Sequence, residues 1–311
     1  MLKTLFILSC LLVAAICAAQ PVEKLLKEAD SLSYEKKYTE ALQVYNRAWL
    51  IDSSNFRLYI DRGRAYEGVK DLEKAFYDYS KAIQLQPDSA EGYHYRAIIL
   101  YSMMYTEESI MDNTLALERA SNDTIRMMSF MNRGNGKMQK RDFQGAYEDF
   151  TRASFYNPNE IGILNNIATV LDELNRVDEA IDYLKRAIKI DSTFIGPYVN
   201  LGFQYTKLKR YREAIEYFNK ALLIDKDEPL TLNNRGLARF YINDLDGALA
   251  DINRSLSIYP DNSYAYKNRA VVYLAQKNKE KACADLNKAI ELEFTKVYGG
   301  EVNELIKANC K

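Results

Sequence analysis

Residues 59–66 read Tyr-Ile-Asp-Arg-Gly-Arg-Ala-Tyr, and residues 232–239 read Leu-Asn-Asn-Arg-Gly-Leu-Ala-Arg, so an Arg-Gly-x-Ala core returns in the same setting far along the chain. Outward from these stretches the pattern repeats every 34 residues. Units start at Val22, Phe56, Ala90, Met127, Ile161, Ile195, Pro229 and Ser263, with three extra residues, Thr124 to Arg126, before the fourth; the last unit ends at Lys296. Position 8 of each unit is Ala29, Gly63, Ala97, Gly134, Ala168, Gly202, Gly236 or Ala270, always small. Position 20 is Ala apart from Ser109, and position 27 is Ala apart from Ser255. Two helices approach closely only where neither presents a large side chain, and bulk then fills the flanks. Tyr59, Tyr93, Phe130, Leu164, Tyr198 and Tyr266 at position 4, with Tyr79, Phe150 and Phe218 at position 24, supply it. Pro87, Pro158 and Pro260 fall where a second helix must stop.

Each unit is therefore a helical hairpin that buries its apolar face only by stacking on its neighbours. The period, the small positions and the closing prolines resemble the tetratricopeptide repeat, exported bacterial type, over nearly the whole chain after its first segment. The resemblance implies an all-α fold, a right-handed α-solenoid superhelix of eight hairpins over residues 22–296 with a C-terminal cap helix in residues 297–311. The third unit departs most, with Ser109, Asn113 and Ser121 in place of Ala, an aromatic residue and Pro, which predicts a looser joint.

Lys and Arg number 42 against 43 Asp and Glu, which supplies no overall positive field for nucleic acid. With one histidine, no Gly-rich phosphate loop, no serine elbow and no metal-ligand spacing, the sequence predicts neither an enzyme, a cofactor nor a small-molecule substrate. His94 is expected as an exposed groove residue.

Arginine stands at position 7 of five units, and each of those units has Asp at position 23: Arg62 with Asp78, Arg96 with Asp112, Arg133 with Asp149, Arg235 with Asp251, and Arg269 with Asp285. The other three units have neither. This pairing predicts structural ion pairs between the helices of one hairpin; the alternative is a ladder for an anionic ligand. Asparagine at position 6 (Asn132, Asn166, Asn200, Asn234, Asn268) resembles the family's packing asparagine and implies a hydrogen bond between neighbouring repeats.

Cys283 occupies position 21 of the last unit, and Glu301 to Cys310 is amphipathic at helical spacing, which predicts a cap lying over the last hairpin. The sequence then predicts a disulfide between Cys283 and Cys310, with two buried free thiols as the alternative.

In the family the resemblance points to, positions 2, 5, 9, 12 and 13 of the first helices line a concave groove. Carried onto this chain, the central lining includes Met128, Met131, Asn135, Met138 and Asn165, and the C-terminal lining includes Val199, Phe203, Leu230, Asn233, Leu237, Phe240, Tyr241, Tyr264, Lys267, Val271 and Leu274. The N-terminal lining is more charged, with Glu23, Asp30, Arg57, Arg64, Glu67 and Glu91. An apolar groove of this kind suits a peptide or protein segment; packing of Leu237, Val271 and Leu274 between repeats is the alternative. Lys267 is followed four residues later by Val271, which does not match the family's clamp for acidic chaperone C-termini.

Residues 1–19 read as a signal peptide: Lys3, an apolar run from Leu5 to Ile16, then Cys17, Ala18 and Ala19 before Gln20. The run is too short to span a bilayer, and no later segment is apolar enough. The expectation is an exported, periplasmic scaffold or adaptor that binds a partner in the cell envelope. The alternatives are a secreted or lipid-anchored chain, and an envelope-anchored assembly subunit that binds through its convex face or its ends.

Overall fold

The computed structural model describes residues 21–310, and among these residues the chain is all-α. It forms two compact units, divided after Pro158. In the first unit, α1 (residues 21–34) pairs with α2 (Tyr38–Ile51), α3 (Phe56–Gly68) with α4 (Leu72–Leu85), α5 (Ala90–Ser102) with α6 (Thr106–Arg119), and α7 (Asp123–Gln139) with α8 (Phe143–Tyr156). In the second, α9 (Ile161–Glu173) pairs with α10 (Val177–Ile190), α11 (Ile195–Lys207) with α12 (Tyr211–Ile224), α13 (Pro229–Tyr241) with α14 (Leu245–Ile258), and α15 (Ser263–Ala275) with α16 (Lys279–Glu291). Two short helices follow, α17 (Phe294–Tyr298) and α18 (Glu301–Asn309). The signal-peptide reading of residues 1–19 lies outside the described residues. Among the described residues no helix is long and apolar enough to cross a membrane.

The same local chemistry turns every hairpin. Lys36, Lys70, Met104, Arg141, Asn175, Lys209, Asn243 and Lys277 all take φ between 58° and 67°. At the turn between α3 and α4, the Lys70 N–H donates to the Glu67 carbonyl and the Asp71 N–H to the Tyr66 carbonyl, which satisfies two end-of-helix acceptors. Asp71 then caps α4 by accepting from the Lys74 N–H; Asp142, Asp244 and Asn278 do the same for α8, α14 and α16.

Close approach of the two helices uses the small residue at position 8. A Cβ on Gly63 would stand 2.6 Å from Tyr79 Cε1, and one on Gly236 would stand 2.7 Å from Ile252 Cγ1. The paired side chains, with the buried alanines at positions 20 and 27, form the core of each hairpin.

Two boundaries differ from the sequence expectation. Helix α7 begins at Asp123 rather than at Met127, because Asn122 accepts from the Ile125 N–H and caps a first turn built from the extra residues. The cap is two helices rather than one. Glu293, at φ 59°, breaks the chain away from α16 and starts α17 at Phe294, whose ring is fully buried.

Candidate functional site

In the second unit α9 packs on α11, α11 on α13 and α13 on α15, so first helices succeed one another along one face. On that face Phe203 is 45% exposed, Leu230 51% and Tyr241 51%. Tyr241 stacks on Tyr211 with ring centroids 4.6 Å apart, and Phe240, half-buried, meets its edge at 5.3 Å. Val199, Leu237 and Asn165 are half-buried beside them. Asn165 accepts a 2.8 Å hydrogen bond from Asn200, so Asn200, a position-6 asparagine, joins two neighbouring repeats.

Three residues assigned to the lining serve other contacts. Asn233 is buried and accepts from Asn268 at 3.1 Å, a bond inside the repeat interface. Tyr264 is covered by the cap: its ring lies 5.9 Å from that of Phe294 and 5.3 Å from that of Tyr298. Lys267 is buried too, its ammonium 4.6 Å from the Tyr264 ring centroid and 3.4 Å from a Glu301 carboxylate oxygen. The cap thus closes the C-terminal end of the expected lining.

In the first unit Met128, Met131 and Met138 lie on α7, Met128 exposed and the other two half-buried. The charged part of this face is self-paired around a cavity of about 410 Å³ lined by Asp30, Tyr38, Tyr45, Arg57, Asp61 and Arg64. Arg57 bridges Asp30 at 2.6 Å and Asp61 at 3.1 Å, and the Tyr45 hydroxyl donates to Asp30 at 2.8 Å. Burial raises the Asp61 carboxyl above its ordinary range, with Asp30 adding to the shift.

His94 is not an exposed groove residue. It is buried between α5 and α7, with Nδ1 3.2 Å from Ser129 Oγ and Nε2 without a hydrogen-bond partner. Desolvation alone brings its pKa down to about 4.

All five position-7 arginines grip their aspartates with two nitrogens. Arg62 Nε and Nη2 reach the Asp78 carboxylate at 2.8 and 2.7 Å, and Arg96–Asp112, Arg133–Asp149, Arg235–Asp251 and Arg269–Asp285 repeat the fork. The third nitrogen, Nη1, reaches back to position 25 of the preceding repeat: Asn46, Ser80, Thr114, Asn219 and Asn253 in turn. With every nitrogen engaged, these arginines tie hairpin to hairpin rather than present a ladder to an anion. Burial nonetheless pushes the Asp78 carboxyl above its ordinary value, so desolvation outweighs the pull of Arg62. The contact to position 25 was not read from the sequence, although Asn, Ser or Thr stands there ahead of each arginine-bearing repeat.

Cys283 and Cys310 are joined by a disulfide that ties the end of α18 to α16, 27 residues apart in sequence. Val302, fully buried, and half-buried Leu305 and Ile306 seat α18 on the last hairpin.

Sequence profiles described as tetratricopeptide repeat match residues 56–89, 161–194, 197–228 and 233–293, together more than half of the chain. Human tetratricopeptide repeat protein 13 is 28% identical over 174 residues, covering 54% of this chain and 20% of that protein. The chain spans between about a fifth and a third of the length of such curated relatives. A tetratricopeptide repeat protein from Parabacteroides merdae superposes with a TM-score of 0.67 at 18% identity, over 82% of this chain and 99% of that one. The structure of the APC/C hetero-tetramer Cut9–Hcn1 gives a TM-score of 0.66 at 16% identity, over 89% of this chain and 54% of that one. Repeat period, hairpin geometry and profile matches agree, and the chain belongs to the tetratricopeptide repeat family.

Proposed function

We infer that this protein is an exported, noncatalytic scaffold that binds a peptide or protein segment of the cell envelope on the first-helix face of its second unit. Tetratricopeptide repeats are protein-interaction scaffolds, and the observation that carries the assignment to this face is the exposure of Phe203, Leu230 and Tyr241 on it. Three large apolar groups held in water by rigid helices gain free energy when a partner covers them. Export has two supports. The first 19 residues have the order of a signal peptide, and a disulfide persists in an oxidising compartment.

A second reading, an assembly subunit that binds through its second helices, is favoured by Leu223 on α12, which is 86% exposed. One experiment separates the two. The protein is crosslinked in the envelope fraction of its native cell, and its partners are identified by mass spectrometry for wild type, a Phe203→Glu and Tyr241→Glu double variant, and Leu223→Glu. A partner lost only by the double variant supports the first-helix face. Loss only with Leu223→Glu moves the site to the second helices. The mass of the same purified protein reads the N-terminus, with Gln20 expected as the first residue.

A further inference from the structure

We propose that a pocket on this face takes one basic side chain, lysine or arginine, of the bound segment; the proposal rests on the assignment of the first-helix face as the binding surface. The pocket lies among α9, α10 and α11, has a volume of about 200 Å³, and is lined by Thr169, Asp172, Glu173, Leu184, Phe203 and Gln204 among others. Its apolar wall is the exposed Phe203 ring, with fully buried Leu184 on α10. Two donors of its lining are engaged within the fold, Thr169 Oγ1 with the Asn165 carbonyl and Asn200 Nδ2 with Asn165 Oδ1. Gln204 is only 3% exposed, yet its Oε1 meets no hydrogen-bond donor. Buried acceptors are nearly always satisfied, so one left open beside a cavity marks a place for a donor brought from outside.

The charge has the matching sign. Asp172 and Glu173 both line the pocket, and no lining residue is cationic. The chain partly answers this itself: Lys207 places its ammonium 2.5 Å from Asp172 Oδ1 and 5.9 Å from the Phe203 ring centroid. An ammonium held between a carboxylate and an aromatic face is what a ligand lysine would repeat at the same rim. Lys207 neutralises one of the two carboxylates, and Glu173 stays exposed without an ion-pair partner among the described residues. An acidic side chain would meet two carboxylates and an open acceptor. A norleucine side chain would fill the space and leave Gln204 Oε1 and Glu173 unanswered. A basic side chain answers both and lays its methylene stem on Phe203.

The test uses the purified full-length mature chain and arrays of random nonapeptides whose central residue is fixed as Lys, norleucine or Glu. Wild type is expected to bind the Lys arrays roughly fivefold or more above the norleucine arrays, with Glu weakest. Asp172→Asn with Glu173→Gln should erase the advantage of the Lys arrays over the norleucine arrays. Lys207→Met, which frees Asp172, should raise the Lys signal. The wild-type contrast between Lys and norleucine needs no variant to fold, and thermal melts followed by circular dichroism check the rest. Equal binding of Lys and norleucine arrays, lost in Phe203→Glu, would overturn the basic pocket and leave the binding face standing. A preference for Glu that Lys207→Met removes would overturn it in favour of an anion site. Absence of binding to any array, or binding indifferent to Phe203→Glu, would overturn the binding face and the pocket with it.

Discussion

Gly134 on α7 faces Phe150 on α8 so closely that a Cβ on the glycine would stand 2.7 Å from ring carbon Cε1. The relationship follows side-chain size from hairpin to hairpin. Gly63 faces Tyr79 and Gly202 faces Phe218, whereas Ala168 and Ala270 are matched in sequence by the smaller Leu184 and Leu286; Ala29 with Tyr45 and Gly236 with Ile252 are the exceptions. Gly134→Ala gains helix propensity, about 1 kcal/mol, and loses more by driving a methyl group into the ring. Adding Phe150→Leu makes room for it. Urea midpoints of wild type, the two single variants and the double variant should give a favourable coupling of about 1–3 kcal/mol. Additive effects would mean that the two helices adjust independently and that the size match is coincidence.

The buried fork of Arg62 and Asp78 leads to an asymmetric expectation. Asp78→Ala strands a guanidinium whose partner carboxylate is only 1% exposed, at a cost of about 3–5 kcal/mol. Replacing both residues, Arg62→Leu with Asp78→Tyr, installs the pair found at the same positions of the sixth repeat, Leu201 and Tyr217, and should stay within about 1 kcal/mol of wild type. Thermal denaturation of the two variants decides. Equal losses would show that the ion pair contributes net stability of its own.

These two relationships also show how far the sequence could be read. The pairing of Arg at position 7 with Asp at position 23 was legible because three repeats lack both residues at once, so the chain itself supplied the comparison. The hairpins were legible because small residues keep one phase. What escaped depended on departures from the period. His94 holds a lining position, but Ser129 of α7 lies against the imidazole, which is buried. Tyr264 and Lys267 hold lining positions as well, but the break at Glu293 turns α17 and α18 onto them, and nothing periodic announced that turn. The pocket beside Gln204 escaped because position 10 is ordinarily a packing position; only the unmet Oε1 distinguishes it.

His94 makes stability depend on pH with a definite sign. Its folded pKa, about 4, lies below the ordinary value of 6.5, so between these values the unfolded chain binds the extra proton. The neutral imidazole therefore contributes its full stabilisation above pH 6.5. That contribution shrinks as the pH falls, down to about pH 4. The linked loss across this window is about 3 kcal/mol. The urea midpoint should fall further between pH 7 and pH 4.5 for wild type than for His94→Gln, which carries no titrating group at this place. The carboxylates titrate alike in both proteins and cancel in the comparison. Identical pH dependence in the two would mean that the imidazole is solvated and protonates freely.

The disulfide between Cys283 and Cys310 closes a loop of 27 residues over the last hairpin, which in the chain-entropy description stabilises the closed form by about 3–4 kcal/mol. In a stack of repeats each hairpin contacts chiefly its neighbours, so the effect should stay at one end. Reduction releases α18, whose own anchors are Val302, Leu305 and Ile306 with the Lys267–Glu301 contact, while α9 to α12 keep their packing. Amide hydrogen exchange of oxidised and reduced protein should show faster exchange across α17 and α18, and at the face of α15 they cover, with α11 unchanged. If reduction leaves the α18 amides as protected as before, the apolar anchors alone hold the cap, and the disulfide adds nothing to the closed state. Acceleration extending into α11 would instead show that the second unit opens as one cooperative body.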